Sequence, residues 1–129
     1  LDMLPESYRP SPRVRQHRVL MRHRRWVKGR ITSVKYKLRH KLAHYNADIA
    51  ELFTQRGEKH LTKVAMDMAD RFEASGQEQL RLLEQQLGEV DEQLRQFAKS
   101  APAAEREARA ALASMPEIGP VTIDVVLSE

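Results

Sequence analysis

Leu80-Arg81-Leu82-Leu83-Glu84-Gln85-Gln86-Leu87-Gly88-Glu89-Val90-Asp91-Glu92-Gln93-Leu94-Arg95-Gln96-Phe97 is the stretch on which the fold class turns. Leu80, Leu83, Leu87, Val90, Leu94 and Phe97 step by three, four, three, four and three residues. Side chains at that spacing share one stripe of an α-helix, and a period near 3.5 is that of a coiled-coil seam. The other positions are Glu, Gln and Arg, which suit solvent. Ala101, Ala104, Ala108, Ala111 and Met115 continue the alternation. Pro102 interrupts it, because its ring would clash with the carbonyl of Ala98. A helix over about 77–99 is therefore expected, with a restart at Pro102.

Upstream, Ser11 offers a capping hydroxyl and Pro12 suits a first helical position. No proline follows until Pro102. Leu20, Val27, Ile31, Val34, Leu38, Leu42 and Tyr45 form one apolar stripe, which predicts a helix over about 13–45, roughly 50 Å long. Residues 46–57 read as a connector with a short helical turn near Ile49 to Phe53. A shorter helix is expected over 58–74, with Leu61, Val64 or Ala65, Met68 and Phe72 on one face and a stop at Ser75-Gly76. Residues 1–12, with Pro5, Pro10 and Pro12, read as a proline-rich connector from a preceding domain.

The expected fold is all-α: long antiparallel helices forming a coiled coil over residues 13–100, then the start of a helix-hairpin-helix over 101–129. In the second part Met115-Pro116 stops one helix, Gly119 is expected to take positive φ in a tight turn, and Pro120 opens another. The low shares of aromatic residues (5%) and glycine (five residues) argue against a β-rich fold. With no cysteine, disulfides, Cys-based zinc sites and thiol nucleophiles are excluded. Mean hydropathy is −0.60, and no apolar run approaches the twenty or so residues of a membrane span. No charged-then-apolar leader opens the sequence. The start at Leu1 and the last apolar run ending with Glu129 lead us to expect a section of a longer protein.

A formal charge of +4 conceals a strong asymmetry. Residues 1–45 hold 13 Lys+Arg against two acids, a net +11, and residues 46–129 hold 9 against 16, a net −7. Such a division suits a helix that meets a polyanion joined to an acidic assembly region. Arg13, Arg15, Arg18, Arg22, Arg24, Arg25, Lys28, Arg30, Lys35, Lys37, Arg39 and Lys41 are the candidate nucleic-acid contacts. The competing reading is a solvated face, neutralised by the chain's own acids. Trp26 and Tyr36 have rings suited to stacking on bases, although a lone helical aromatic is more often packed. A weaker candidate is the turn Ile118-Gly119-Pro120. There the free N–H groups of Val121 and Thr122, beside Gly119, would face a phosphate.

Catalytic patterns are thin. His40 and His44 lie one turn apart, but Lys41 follows His40, so the H-E-x-x-H motif is missing and no metal ligation is expected. Asp67 and Asp70 read as a solvated or ion-paired face rather than part of a two-metal site. Neither a phosphate-binding P-loop nor a Gly-x-Gly-x-x-Gly motif occurs. No catalytic residue and no cofactor are expected in this segment.

Two stretches together carry a family resemblance. One is Leu4-Pro5-Glu6-Ser7-Tyr8-Arg9-Pro10-Ser11-Pro12 with Val14-Arg15 and Arg22-His23-Arg24-Arg25-Trp26-Val27-Lys28. The other is Leu112 to Leu127, around Met115-Pro116-Glu117-Ile118-Gly119-Pro120-Val121-Thr122. Their order resembles the middle of insertion-sequence transposases related to the Piv DNA invertase. The resemblance implies a bacterial, cytoplasmic, nucleoid-associated recombinase with a RuvC-like D-E-D-D domain before this segment and a serine-bearing domain after it. It also implies DNA cleavage and rejoining, divalent metal (Mg) at carboxylates outside the segment, and a guide RNA that pairs with DNA. Asp67, Asp70, Ser114 and Ser128 do not match the family's catalytic positions. That family reads Pro-Gly-Ile-Gly-Pro at the hairpin, where this chain has Glu117 in place of the first Gly. The expected partners are DNA, guide RNA and a second copy of the chain in a homodimer or higher oligomer, with the seam expected to pair with the first helix, a second copy, or both. The alternative is a non-enzymatic coiled-coil scaffold whose basic helix binds an acidic protein.

Overall fold

A computed structural model describes residues 11–75 and 77–129; the connector up to Pro10 and the helix stop at Gly76 lie outside them. The described residues form six α-helices: α1 Pro12–His44, α2 Gln55–Lys63, α3 Met68–Ala74, α4 Gln77–Lys99, α5 Ala103–Ala113 and α6 Pro120–Ser128. No strand occurs among them, as an all-α chain requires. They divide into two compact units. The first contains residues 11–26 and Leu87–Glu129, and the second contains Val27–Gln86.

Local chemistry sets the helix ends. Ser11 accepts the Val14 N–H at 3.2 Å, an N-cap that occupies one of the unpaired donors of α1. At the other end Asn46 takes a left-handed φ of 51°, and the Ala47 N–H returns to the Leu42 carbonyl at 2.9 Å. Asn tolerates this conformation better than most non-glycine residues. Pro102 stands at the N-cap of α5 in extended geometry, three residues beyond the end of α4.

Within the second unit, Leu38, Leu42, Leu52, Leu61 and Ala74 form the core, packed around by Ala47, Ile49, Phe53, Val64 and Met66. Burying each leucine contributes about 1.5–3 kcal/mol. Thr54 caps α2 by accepting the Gly57 N–H at 3.3 Å. Gly57 is obligatory, since a Cβ there would lie 2.0 Å from the Leu52 carbonyl oxygen.

The single helix expected over 58–74 is two helices. Val64 leaves helical geometry with ψ 127°, and the Asp67 carboxylate caps α3 by accepting the Asp70 N–H at 2.7 Å. Arg71 donates to the carbonyls of Leu61 and Val64, satisfying acceptors that the break leaves open. The interruption changes the facing of the segment. Leu61 is buried, but Met68 and Phe72 are 89% and 81% exposed instead of sharing its face.

The α4 stripe is covered inside the single chain. Leu80 and Leu83 are buried in the second unit, and Val90 and Leu94 in the first, with Leu87 and Phe97 half-buried. The alanine continuation does not hold this register: Ala101 is buried, Ala108 half-buried, and Ala104, Ala111 and Met115 are exposed. In the first unit two side chains of α1 reach α4. Arg13 donates to the Phe97 carbonyl, and eleven residues later Arg24 reaches back to Asp91 at 2.7 Å.

Candidate nucleic-acid interface

Most of the twelve candidate cations on α1 are consumed by the fold. In the first unit, Arg13 pairs with Glu105 at 2.8 Å, donates to Ser100 Oγ at 3.0 Å, and lies 3.4 Å above the Phe97 ring. Arg18 donates to the Ser128 carbonyl at 2.7 Å, where a cation suits the negative end of the α6 dipole. Arg24 is held by Asp91.

In the second unit, Lys37 and Lys41 share Glu73, at 3.3 and 2.7 Å. Lys41 also meets Asp70 at 2.8 Å, and Tyr45 donates to the same carboxylate. These hydrogen bonds raise the Lys41 pKa and hold the Asp70 and Glu73 carboxyls below their usual range. Arg39 reaches Asp48 at 2.9 Å and the Ile49 carbonyl at 3.0 Å, and lies over Phe53 beside Lys35. Arg30 also has a contact within the chain.

Arg15, Arg22 and Arg25 in the first unit, and Lys28 in the second, are exposed without an ionic partner among the described residues. The three arginines occupy one flank of α1, on the side opposite the buried His17 and half-buried Leu20. Val19 and Trp26, seven residues apart, stand on the same outward side, 60% and 57% exposed. Trp26 is the chain's single tryptophan. His23 lies nearly parallel to it, 16° between planes and 5.9 Å between centroids. Tyr36, in the second unit, is 74% exposed. Both aromatics that sequence reasoning would more often bury therefore face water.

Beneath this flank is a chain of charge that no motif announced. His17, only 2% exposed, lies with Nε2 3.0 Å from Asp124 Oδ1. Arg109 Nη1 donates to the same oxygen at 3.0 Å, and its Nε donates to Glu105 at 3.0 Å. Its Nη2 is also 3.0 Å from Glu105 but outside hydrogen-bond geometry. Glu105 closes the chain through Arg13. Burial lowers the His17 pKa, against the opposing pull of Asp124. A carboxylate only accepts, so the imidazole Nε2 is the donor of this bond. The Arg13 guanidinium, with Arg109, holds the Glu105 carboxyl below its usual range against desolvation. A buried charge persists only when paired in this way. The pairing residues lie 92 and 107 positions apart, so only folding brings them together.

The other candidates separate similarly. Gly119 and Thr122 are exposed and Val121 is 44% exposed, all at the start of α6. The positive φ expected at Gly119 belongs to Glu117, at 69°; Gly119 has φ −88° and serves as the extended N-cap of α6. The chain reverses two residues earlier than expected, and an extended N-cap does not need glycine. Behind the hairpin lies a cavity of about 650 Å³, lined by Met21, Leu94, Ala113, Ile118, Val121 and Ile123 with Arg24 and Arg109 at its wall. Those two arginines are ion-paired and bring no unneutralised charge to a ligand. His40 and His44 meet edge to face at 5.1 Å, and no cluster of three ligating side chains occurs among the described residues. Asp67 is a helix cap, and Asp70 an ion-pair partner of Lys41. None of the described helices is long and apolar enough to cross a membrane.

No protein-family model matches the chain, and no curated protein or solved structure matches it either.

Proposed function

We propose that this chain is the nucleic-acid-contacting helical section of a DNA recombinase of the Piv-invertase transposase type, with the catalytic groups elsewhere in the parent protein. The observation that carries the nucleic-acid reading is the flank of Arg15, Arg22 and Arg25. It concentrates positive charge on water-exposed helix surface while acids neutralise most other cations of α1. Phosphate contacts there would release condensed counterions, so affinity should fall steeply with salt. The order of the proline-rich entry, the basic helix and the Met115–Thr122 hairpin supports the narrower family reading. Gly119, Val121 and Thr122 add a secondary phosphate contact at the start of α6.

The test is binding of the full chain to labelled duplex DNA and structured RNA across a salt series. The triple variant Arg15→Glu, Arg22→Glu, Arg25→Glu should abolish salt-sensitive binding while preserving helix content. Unchanged binding would overturn the assignment of this flank. Binding to an acidic protein with indifference to both nucleic acids would favour a scaffold instead. Homodimerisation, the second part of the proposal, has to use surface other than the α4 stripe, which one chain already covers. In the second unit Leu82, Met68 and Phe72 supply exposed apolar area. Sedimentation equilibrium of the wild type and of Leu82→Glu checks this.

A further inference from the structure

We infer that the α1 flank recognises unpaired nucleotides, with a base stacked on Trp26 and the adjoining phosphates held by Arg15, Arg22 and Arg25. This deepens the proposed function and rests on it. Three observations on the first unit point the same way.

The first is the exposure of Trp26. A tryptophan buries more apolar area than almost any other side chain, and folding normally uses it. Here 57% of the residue is in water, on a helix whose opposite side buries His17. The second is charge. Arg22 precedes Trp26 by one helical turn and shares its side, Arg15 lies three turns before it on that side, and Arg25 flanks it about 100° round the helix. Arg15, Arg22 and Arg25 rise along the helix axis in steps of about 10.5 and 4.5 Å, so they line a basic track beside the indole, as a groove that follows a nucleic-acid backbone requires. The third is His23, which lies nearly parallel to the indole and limits its reorientation. A ring held in this way loses less freedom when a base stacks on it.

A duplex fits this arrangement poorly. Its bases are stacked on one another and show only their edges in the grooves, whereas an indole needs an open base face. Unpaired bases in loops, bulges and single strands present that face, and stacking on an aromatic side chain is the usual way proteins hold them. Such nucleotides come from single-stranded DNA or from loops of a folded RNA.

Because Trp26 is the chain's single tryptophan, its fluorescence reports this contact without a label. The full chain is titrated with an oligouridylate strand, an oligodeoxythymidylate strand and a DNA duplex of equal length. The single strands are expected to quench Trp26 emission and to bind more tightly than the duplex. Trp26→Ala should weaken single-strand binding roughly tenfold or more and leave duplex binding unchanged, and Trp26→Phe should retain most of it. Tighter binding of oligouridylate assigns an RNA source, and tighter binding of oligodeoxythymidylate a DNA source. Salt-sensitive binding with unquenched emission, or an unaltered Trp26→Ala variant, overturns the stacking and leaves the proposed function standing. Loss of all salt-sensitive binding in the wild type overturns both.

Discussion

The two compact units use opposite means to join their helices. In the first, α1, α5 and α6 meet through a succession of charges that runs from the half-buried Arg13, Glu105 and Arg109 to the buried Asp124 and His17. The second is built on leucines, and its ionic cluster joins the half-buried Lys41 and Asp70 to the solvent-exposed Glu73 and Lys37. Similar residue types appear in both clusters, and burial decides what they are worth. Removing one member of a buried set leaves its partners unpaired in a low-dielectric setting, whereas an exposed set returns to water at little cost.

The largest expected effect is therefore in the first unit. Asp124→Ala leaves His17 and Arg109 without their shared acceptor and should destabilise that unit by about 3–5 kcal/mol, measured by denaturant unfolding followed through Trp26. In the second unit the sensitive position is apolar and steric. Gly57→Ala forces a Cβ into the Leu52 carbonyl and should cost about 1–3 kcal/mol, with loss of amide protection in α2 and little change in Trp26 emission.

Acid sharpens the comparison further. His17 in the folded unit binds a proton less readily than its ordinary value of 6.5 allows. Below that pH the unfolded chain takes up a proton that the folded chain resists, so stability present above 6.5 falls as pH drops toward the lowered value. Glu105 loses its contribution later, as pH falls below its ordinary 4.5 toward its depressed value. Unfolding at pH 7.5 and 5.5 should show the first unit weakening, and His17→Gln should remove that slope. A smaller effect of opposite sign is expected at the hairpin. Glu117→Gly relieves a left-handed φ and should stabilise α5 and α6 by about 1 kcal/mol, seen as a raised Tm. Smallest of all is Asp70→Asn in the ionic cluster of the second unit. Lys41 keeps Glu73, and thermal unfolding should hardly move.

What the sequence disclosed was local. The stripe of α4, the proline-free run of α1 behind Ser11 and the break before Pro102 depend on neighbours within a turn or two, and all three are in place. The interruption at residues 64–67 escaped notice because periodicity alone favours continuation. Asp67 carried a capping signal, but the carbonyls it strands are accommodated only by Arg71 folding back onto them. Interface residues were harder to separate. Twelve cations looked alike along α1, and the acids that neutralise Arg13 and Arg24 lie 92 and 67 residues away. Arg15, Arg22 and Arg25 emerge only once those distant partners are in place. The charged chain through His17 and Asp124 had no spacing to betray it.

The division into units also has a temporal side. Val27–Gln86 is continuous in the chain, while the first unit combines residues 11–26 with Leu87–Glu129. During synthesis the middle section leaves the ribosome complete and can condense its leucines at once. His17 and Arg13 must wait for Glu105 and Asp124, roughly a hundred residues behind them. Over that interval the start of α1 carries its arginines without the acids that later restrain some of them. A nascent chain would thus be more adhesive toward polyanions than the folded one, and its selectivity would be acquired only when α6 is made.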